Sequence, residues 1–207
     1  MGRRRGAGKI GEGMSGRVYY PALECDDPSK QPKGDYVSKV MKPDAAQAEF
    51  TKTEPLRKLG PSYAIYPEAM CARKGNSMLF SKFGGFNLAD YFTNLEQVYE
   101  GALDWTQEPV PVNKDELNSI VRGLQELSGE IDEMNRAGLY HNDVSMDNIV
   151  FNPSTKKVYL IDFERMTLTP PKGRSDKDNI LDIFKSFKAY ADKELKSKSR
   201  EQVNAPH

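Results

Sequence analysis

Asp143 and Asn148 share the run Tyr140-His141-Asn142-Asp143-Val144-Ser145-Met146-Asp147-Asn148, and Asp162 follows in Leu160-Ile161-Asp162-Phe163-Glu164. A carboxylate can orient a hydroxyl for attack, and carboxylate or amide oxygens suit a hard divalent cation. Phosphoryl transfer from ATP needs that donor set: one carboxylate at the acceptor hydroxyl, then an amide and a second carboxylate on magnesium. The spacing places Asp143 and Asn148 on one tight loop and Asp162 at the far end of a short hairpin. Asp and Asn are also ordinary turn residues. Their order and spacing, not their types alone, carry the reading.

The flanking sequence supplies elements that can hold such a loop. Asn113 followed by Glu116 is a capping-box start. From there Leu117, Ile120, Val121, Leu124, Leu127, Ile131 and Met134 recur every three or four residues, the stripe of a buried helix. Ala137-Gly138 ends it, glycine tolerating a left-handed C-terminal position. Beyond the loop, Ile149-Val150-Phe151, a turn at Asn152-Pro153-Ser154, and Val158-Tyr159-Leu160-Ile161 read as a hairpin.

A second constellation lies near the N-terminus. Gly11, Gly13, Gly16 and Val18 form Gly-x-Gly-x-x-Gly-x-Val. Glycines admit close backbone approach to phosphates, and a β-branched residue after them can cover a base. A dinucleotide site shares the glycines but needs a helix directly after them. Here Arg17-Val18-Tyr19-Tyr20 continues as strand and Pro21 blocks a helix, which favours a strand-turn-strand loop. Next, Tyr36-Val37-Ser38-Lys39-Val40-Met41 reads as a strand that points Val37 and Lys39 the same way. Such a lysine needs an acidic partner. Glu49, on a helix capped by Asp44 and interrupted by Pro55, is preferred to Glu54, which the following proline pushes toward extended backbone.

These pieces, in this order, resemble the protein-kinase superfamily over residues 8–190. His-Asn-Asp stands for the usual His-Arg-Asp, and Asp-Phe-Glu for Asp-Phe-Gly. The resemblance implies an α+β, bilobal protein-kinase-like fold. Residues 9–83 would form a small lobe on a five-stranded antiparallel sheet, and residues 84–192 a truncated helical large lobe, with ATP between them. It makes Asp143 catalytic, sets Lys39 on the α- and β-phosphates with Glu49 holding it, and has Val18 and Val37 cover the base. Met78 to Leu88 resembles the fifth strand and hinge, with Phe80 to Phe83 offering backbone groups to the base. Short stretches (residues 16–25, 36–41, 59–63 and 66–71) look like the compact serine/threonine-kinase-like proteins of large DNA viruses.

The chain departs from that pattern in four places. Asn142 replaces the arginine that receives an activating phosphate. Ser145 replaces a phosphate-touching lysine. Glu164 replaces the turn glycine, as a third metal ligand or an exposed charge. Only residues 165–174 separate that turn from a last amphipathic segment (Ile180, Leu181, Ile183, Phe184, Phe187, Tyr190), so the later peptide-binding helices of full kinases are not expected. Asp178, in preference to Asp182, is expected to brace the catalytic loop.

Lys+Arg and Asp+Glu both number 30 in 207 residues, so no bulk charge directs the protein to nucleic acid or membrane. Two cysteines, Cys25 and Cys71, read as reduced packing residues. No apolar run approaches a membrane span, so a soluble intracellular protein is expected, in host cytoplasm or virion if viral. Residues 1–8 read as a disordered basic terminus, 99–112 as an insertion around Trp105, and 193–207 as a mobile tail. Three functions remain: an ATP- and magnesium-dependent protein Ser/Thr kinase, which leads; a small-molecule or sugar kinase, favoured by Ser145 and the short C-terminal part; and a pseudokinase acting as a binding or virion component. The first two need a protein or small-molecule hydroxyl acceptor.

Overall fold

A computed structural model describes residues 7–13, 16–89 and 113–203. The expected insertion at 99–112 lies outside them, as does most of the basic terminus at 1–8. Mixed helices and antiparallel sheets divide into two compact units, Met1–Phe83 with Asp162–Met166, and Gly84–Ile161 with Thr167–His207. No helix among the described residues is long and apolar enough to cross a membrane.

The first unit is built on five strands: β1 (Gly8–Gly13), β2 (Gly16–Tyr20), β3 (Tyr36–Met41), β4 (Ala69–Arg73) and β5 (Asn76–Lys82). They lie in the order β1-β2-β3-β5-β4, every pairing antiparallel. The period-two alternation of strands sorts their side chains into two cores. Val40, Met78, Phe80, Ala69 and Cys71 share one face with Ala22 and Leu23. Met41, Leu79 and Met70 share the other with Ala46 and Phe50 of α1 (Pro43–Lys52). Lys39 alternates with Ser38 and Val40, which places it on the α1 side. Gly16 is a packing requirement, since a Cβ there would come within 2.5 Å of the Val40 carbonyl oxygen.

Three expectations fail in this unit. Asp44 does not cap α1: the helix starts at Pro43 with Lys42 as its N-cap and no side-chain capping bond, and Asp44 lies inside the first turn. Glu54 is not extended: it opens a second short helix, α2 (Glu54–Leu59), in which Pro55 occupies the first turn, where a missing N–H costs nothing. Cys25 and Cys71 are not reduced packing residues but a disulfide. The Asp26 amide donates to the Ala72 carbonyl at 3.0 Å, and the Lys74 amide to the Asp26 carboxylate at 2.7 Å. These bonds lay the segment around Cys25 along β4 and bring the two thiols together.

The second unit is organised by α3 (Lys114–Arg136). Asn113 caps it, its side-chain oxygen accepting from the Asp115 and Glu116 amides at 3.0 and 3.3 Å. Leu117, Ile120, Leu124, Leu127, Ile131 and Met134 are its buried stripe. β6 (Phe86–Asn87), β7 (Ile149–Asn152) and β8 (Lys157–Leu160) form an antiparallel sheet in that order. Gly123 lets α3 approach β8, for a Cβ there would meet Val158 Cγ2 at 2.6 Å. Gly85 precedes β6 at φ +107, where a Cβ would strike the Phe151 carbonyl. The last helix, α4 (Asp176–Val203), packs on α3 and buries Ile180, Phe187 and Ala191. It continues through the stretch expected to be a mobile tail. No glycine or proline falls between residues 176 and 203, and Lys, Glu, Arg and Gln are good helix formers.

Candidate active site

In the second unit the candidate loop joins α3 to β7. Gly138 takes φ 77 after α3, and the chain then runs through His141 to a 3-10 turn at Met146–Asn148. His141 is fully buried. Its Nε2 lies 2.9 Å from the Ile161 carbonyl, while its Nδ1 accepts from the Asp143 amide at 3.2 Å. A carbonyl can only accept and an amide can only donate, so this network places the ring proton on Nε2. The imidazole thereby ties the loop to the end of β8. The Asn148 side-chain nitrogen donates to the Asp143 carbonyl at 2.9 Å and to its carboxylate at 3.1 Å. Asp143 and Asn148 are thus brought together, with the orientation of one carboxylate oxygen fixed by the amide.

The brace of this loop is Asp176. Its two carboxylate oxygens accept from the His141 amide at 2.7 Å and the Asn142 amide at 2.8 Å, and the side chain is 1% exposed. Asp178 and Asp182 are not the brace. Asp178 exchanges bonds with Ser175 at the helix start, and Asp182 is held by Arg174. Asp176 opens the helix, where Cα–Cβ bonds tilt back past its N-terminus, whereas Asp178, later in the same first turn, is spent on Ser175. The anion at Asp176 also lets Asn142 sit at φ 61, a conformation that asparagine tolerates.

In the first unit Lys39 is the centre. Its ammonium lies 2.8 Å from Glu49, 3.8 Å from Asp162 and 3.8 Å from Glu164. Glu54 pairs instead with Lys58. Burial pushes the Glu49 carboxyl above the usual carboxylate range; Lys39 opposes this, and the charges of Asp162 and Glu164 add to it. Asp162 takes the left-handed conformation at φ 61, ψ 72, ahead of a 3-10 turn at Phe163–Arg165. Lys52 donates to the Glu164 carbonyl and pins that turn to α1. Gly11, Gly13 and Gly16 lie on the β1–β2 hairpin, with Gly13 paired to Gly16 and Gly11 to Val18. Val18 pairs with Lys39 across β2 and β3. A Cβ at Gly11 would make only an ordinary contact with Val18, so the protein itself does not demand glycine there. Val37 is half-buried, two residues from Lys39 on β3. Of the backbone groups from Phe80 to Phe83, the Phe80 carbonyl accepts from Glu68 and the Phe83 amide donates to Asp35. Those two are spent within the unit.

Taken one by one within its own unit, each expected donor has oxygen chemistry that would suit magnesium. Among the described residues no group of three or more His, Cys, Asp or Glu side chains is placed to hold a metal by itself. Magnesium, however, takes one or two protein oxygens and completes its shell with water and substrate phosphate. With its nitrogen committed to Asp143, Asn148 leaves its carbonyl oxygen for such an ion, and the Asp162 carboxylate is 40% exposed.

The unit-two residues that carry this loop fall in a recognised family. Residues 92–205, more than half of the 207, match the lipopolysaccharide kinase (Kdo/WaaP) family. The chain belongs to that family, and through it to the protein-kinase-like superfamily. It is therefore a kinase-type phosphotransferase. No curated protein matches the chain. The family gives no support to the narrower viral resemblance or to a protein Ser/Thr acceptor.

Proposed function

We propose that this protein transfers the terminal phosphoryl group of ATP to a hydroxyl of a saccharide acceptor, the acceptor class in the family's description. The observation that carries the reading is the match over residues 92–205, which includes Asp143, Asn148, Asp162 and Asp176. The leading expectation of a protein acceptor gives way to the small-molecule one.

Each residue has a role in that reading. Asp143, held by Asn148, orients the acceptor hydroxyl and takes its proton as the new P–O bond forms. Asp176 and His141 keep the loop from relaxing away from that geometry. Asn148 and Asp162 would hold magnesium, which would neutralise charge on the transferring phosphate. Lys39, set by Glu49, binds the donor's inner phosphates; Gly11, Gly13 and Gly16 cover them, and Val18 and Val37 line the base. Ser145, in place of the lysine that touches the transferring phosphate in protein Ser/Thr kinases, favours a small-molecule acceptor over a protein one.

Incubation with labelled ATP and magnesium tests this, with lipopolysaccharide core saccharide in one arm and a mixture of generic proteins in the other. Label is expected on the saccharide and to vanish with Asp143→Asn. Label on protein side chains alone would replace the saccharide reading. Label on neither, together with no ATP hydrolysis, would remove the enzymatic one.

A further inference from the structure

Lys39 is one cation facing three carboxylates. Glu49 is buried and bonded at 2.8 Å, which accounts for one donor direction of the ammonium. Asp162 is the proposed metal ligand. Glu164 is neither, yet its carboxylate stands 3.8 Å from the ammonium, as close as that of Asp162. This proximity is enforced by the backbone. The Phe163–Arg165 turn is fixed by the buried Phe163, by the Met166 amide donating to the Phe163 carbonyl at 3.1 Å, and by Lys52 on the Glu164 carbonyl. The Glu164 side chain itself is half-exposed.

We infer that Glu164 is an internal stand-in for nucleotide phosphate on Lys39, and that its displacement makes the protein discriminate metal-loaded from free nucleotide. The inference rests on the proposed nucleotide site. A phosphate that engages Lys39 must take the place of the Glu164 carboxylate and then lie close to it. Like charges at that range repel, and the repulsion grows with the charge on the ligand. Free ATP is more negative than its magnesium complex and is penalised more. A glycine at this position would impose no such penalty. The alternative role, Glu164 as a metal ligand, predicts the opposite sign: its removal would weaken binding of the metal complex.

Calorimetric titration of the whole protein decides between them, with ATP plus magnesium and with ATP plus chelator. The comparison includes Glu164→Gln, Lys39→Met and the double variant. Glu164→Gln is expected to bind free ATP about 3–10-fold tighter and Mg-ATP only about 2-fold tighter, as suits a half-exposed charge pair. In the Lys39→Met background the same substitution should lose most of its effect on displacement, which a structural role for Glu164 would not produce. Melting points without ligand, together with Glu164→Ala, separate this from misfolding. Weaker Mg-ATP binding by Glu164→Gln, or no change in either titration, overturns the inference while leaving the nucleotide site intact. Wild-type protein that binds neither form overturns both.

Discussion

Asp176 shows how much one side chain can decide. Two backbone N–H groups of the catalytic loop converge on its carboxylate inside a nearly water-free environment. Asp176→Asn removes the charge and one of the two acceptor oxygens, leaving one buried N–H without a partner. Hydrogen bonds to a charged group contribute about 1.5–3 kcal/mol each, so a loss of about 2–4 kcal/mol is expected, with a large fall in turnover. Asp178→Asn touches only an exposed bond to Ser175 and should cost under about 1 kcal/mol. Denaturant unfolding of the two variants makes the comparison, and equal losses would refute the bracing role. Lys39 yields a second expectation. Lys39→Met leaves Glu49 buried beside Asp162 and Glu164 without that cation, so binding should weaken and the variant should show a smaller magnesium- and ATP-dependent rise in melting temperature than the wild type at the same ligand concentration. A wild-type-sized rise would remove Lys39 from the nucleotide site. The placement of Lys39 and Glu49 was readable from period two in a strand and from the short helix that follows it, although that helix starts at Pro43 and Asp44 does not cap it. Asp176 was not, because two acids share the first turn of that helix and only the path of the loop distinguishes them.

At the scale of elements, the sequence declared α3 through its cap, its stripe and Gly138, all local signals. The β7–β8 hairpin was equally plain, with Asn152 closing its turn by accepting from the Ser154 and Thr155 amides. The end of α4 was misread because charge and serine content suggest a solvated tail, while helix propensity and the absence of breakers point the other way. The segment after Asp162 could not be read at all from spacing. Its Thr167 pairs with Tyr140 through both backbone bonds, at 3.0 and 2.9 Å. The Thr167 hydroxyl accepts from the Asn142 side chain at 2.7 Å and donates to the Thr169 carbonyl at 2.7 Å. Neutral groups thus hold the segment where an arginine and a phosphate would otherwise do so. Activity is therefore expected without phosphorylation of residues 165–174. Phosphatase-treated protein should turn over ATP within about twofold of untreated protein. Thr167→Glu, which puts a charge where the hydroxyl donates to a carbonyl, should be slower. A large loss on phosphatase treatment would show that Arg165 or Arg174 receives a phosphate instead.

Across the whole molecule, each of the two units has a core of its own, but only the first is cross-linked. Two cysteines 46 residues apart announce no framework by themselves, so the bond was illegible until the course of residues 22–26 beside β4 was known. Once formed, it ties the β2–β3 connection to β4 in the cluster of Met78 and Phe80, on the sheet face opposite α1. A cross-link over a loop of this length restricts the unfolded chain and contributes about 2–4 kcal/mol. Reduction, or Cys25→Ser with Cys71→Ser, should destabilise the first unit by that amount. Lys39 and Glu49 would then lose rigidity with it, since β3 is a strand of that sheet and α1 packs on it. The second unit holds no cysteine and should be unaffected. Peptide-level hydrogen exchange with and without reductant reads the two separately. Faster exchange is expected in β3, β4 and β5, and unchanged exchange in α3, β7 and β8. A thiol-reactive dye applied to unfolded, unreduced protein should label neither cysteine. Full labelling, with exchange in β4 indifferent to reductant, would return Cys25 and Cys71 to the role of two reduced packing residues.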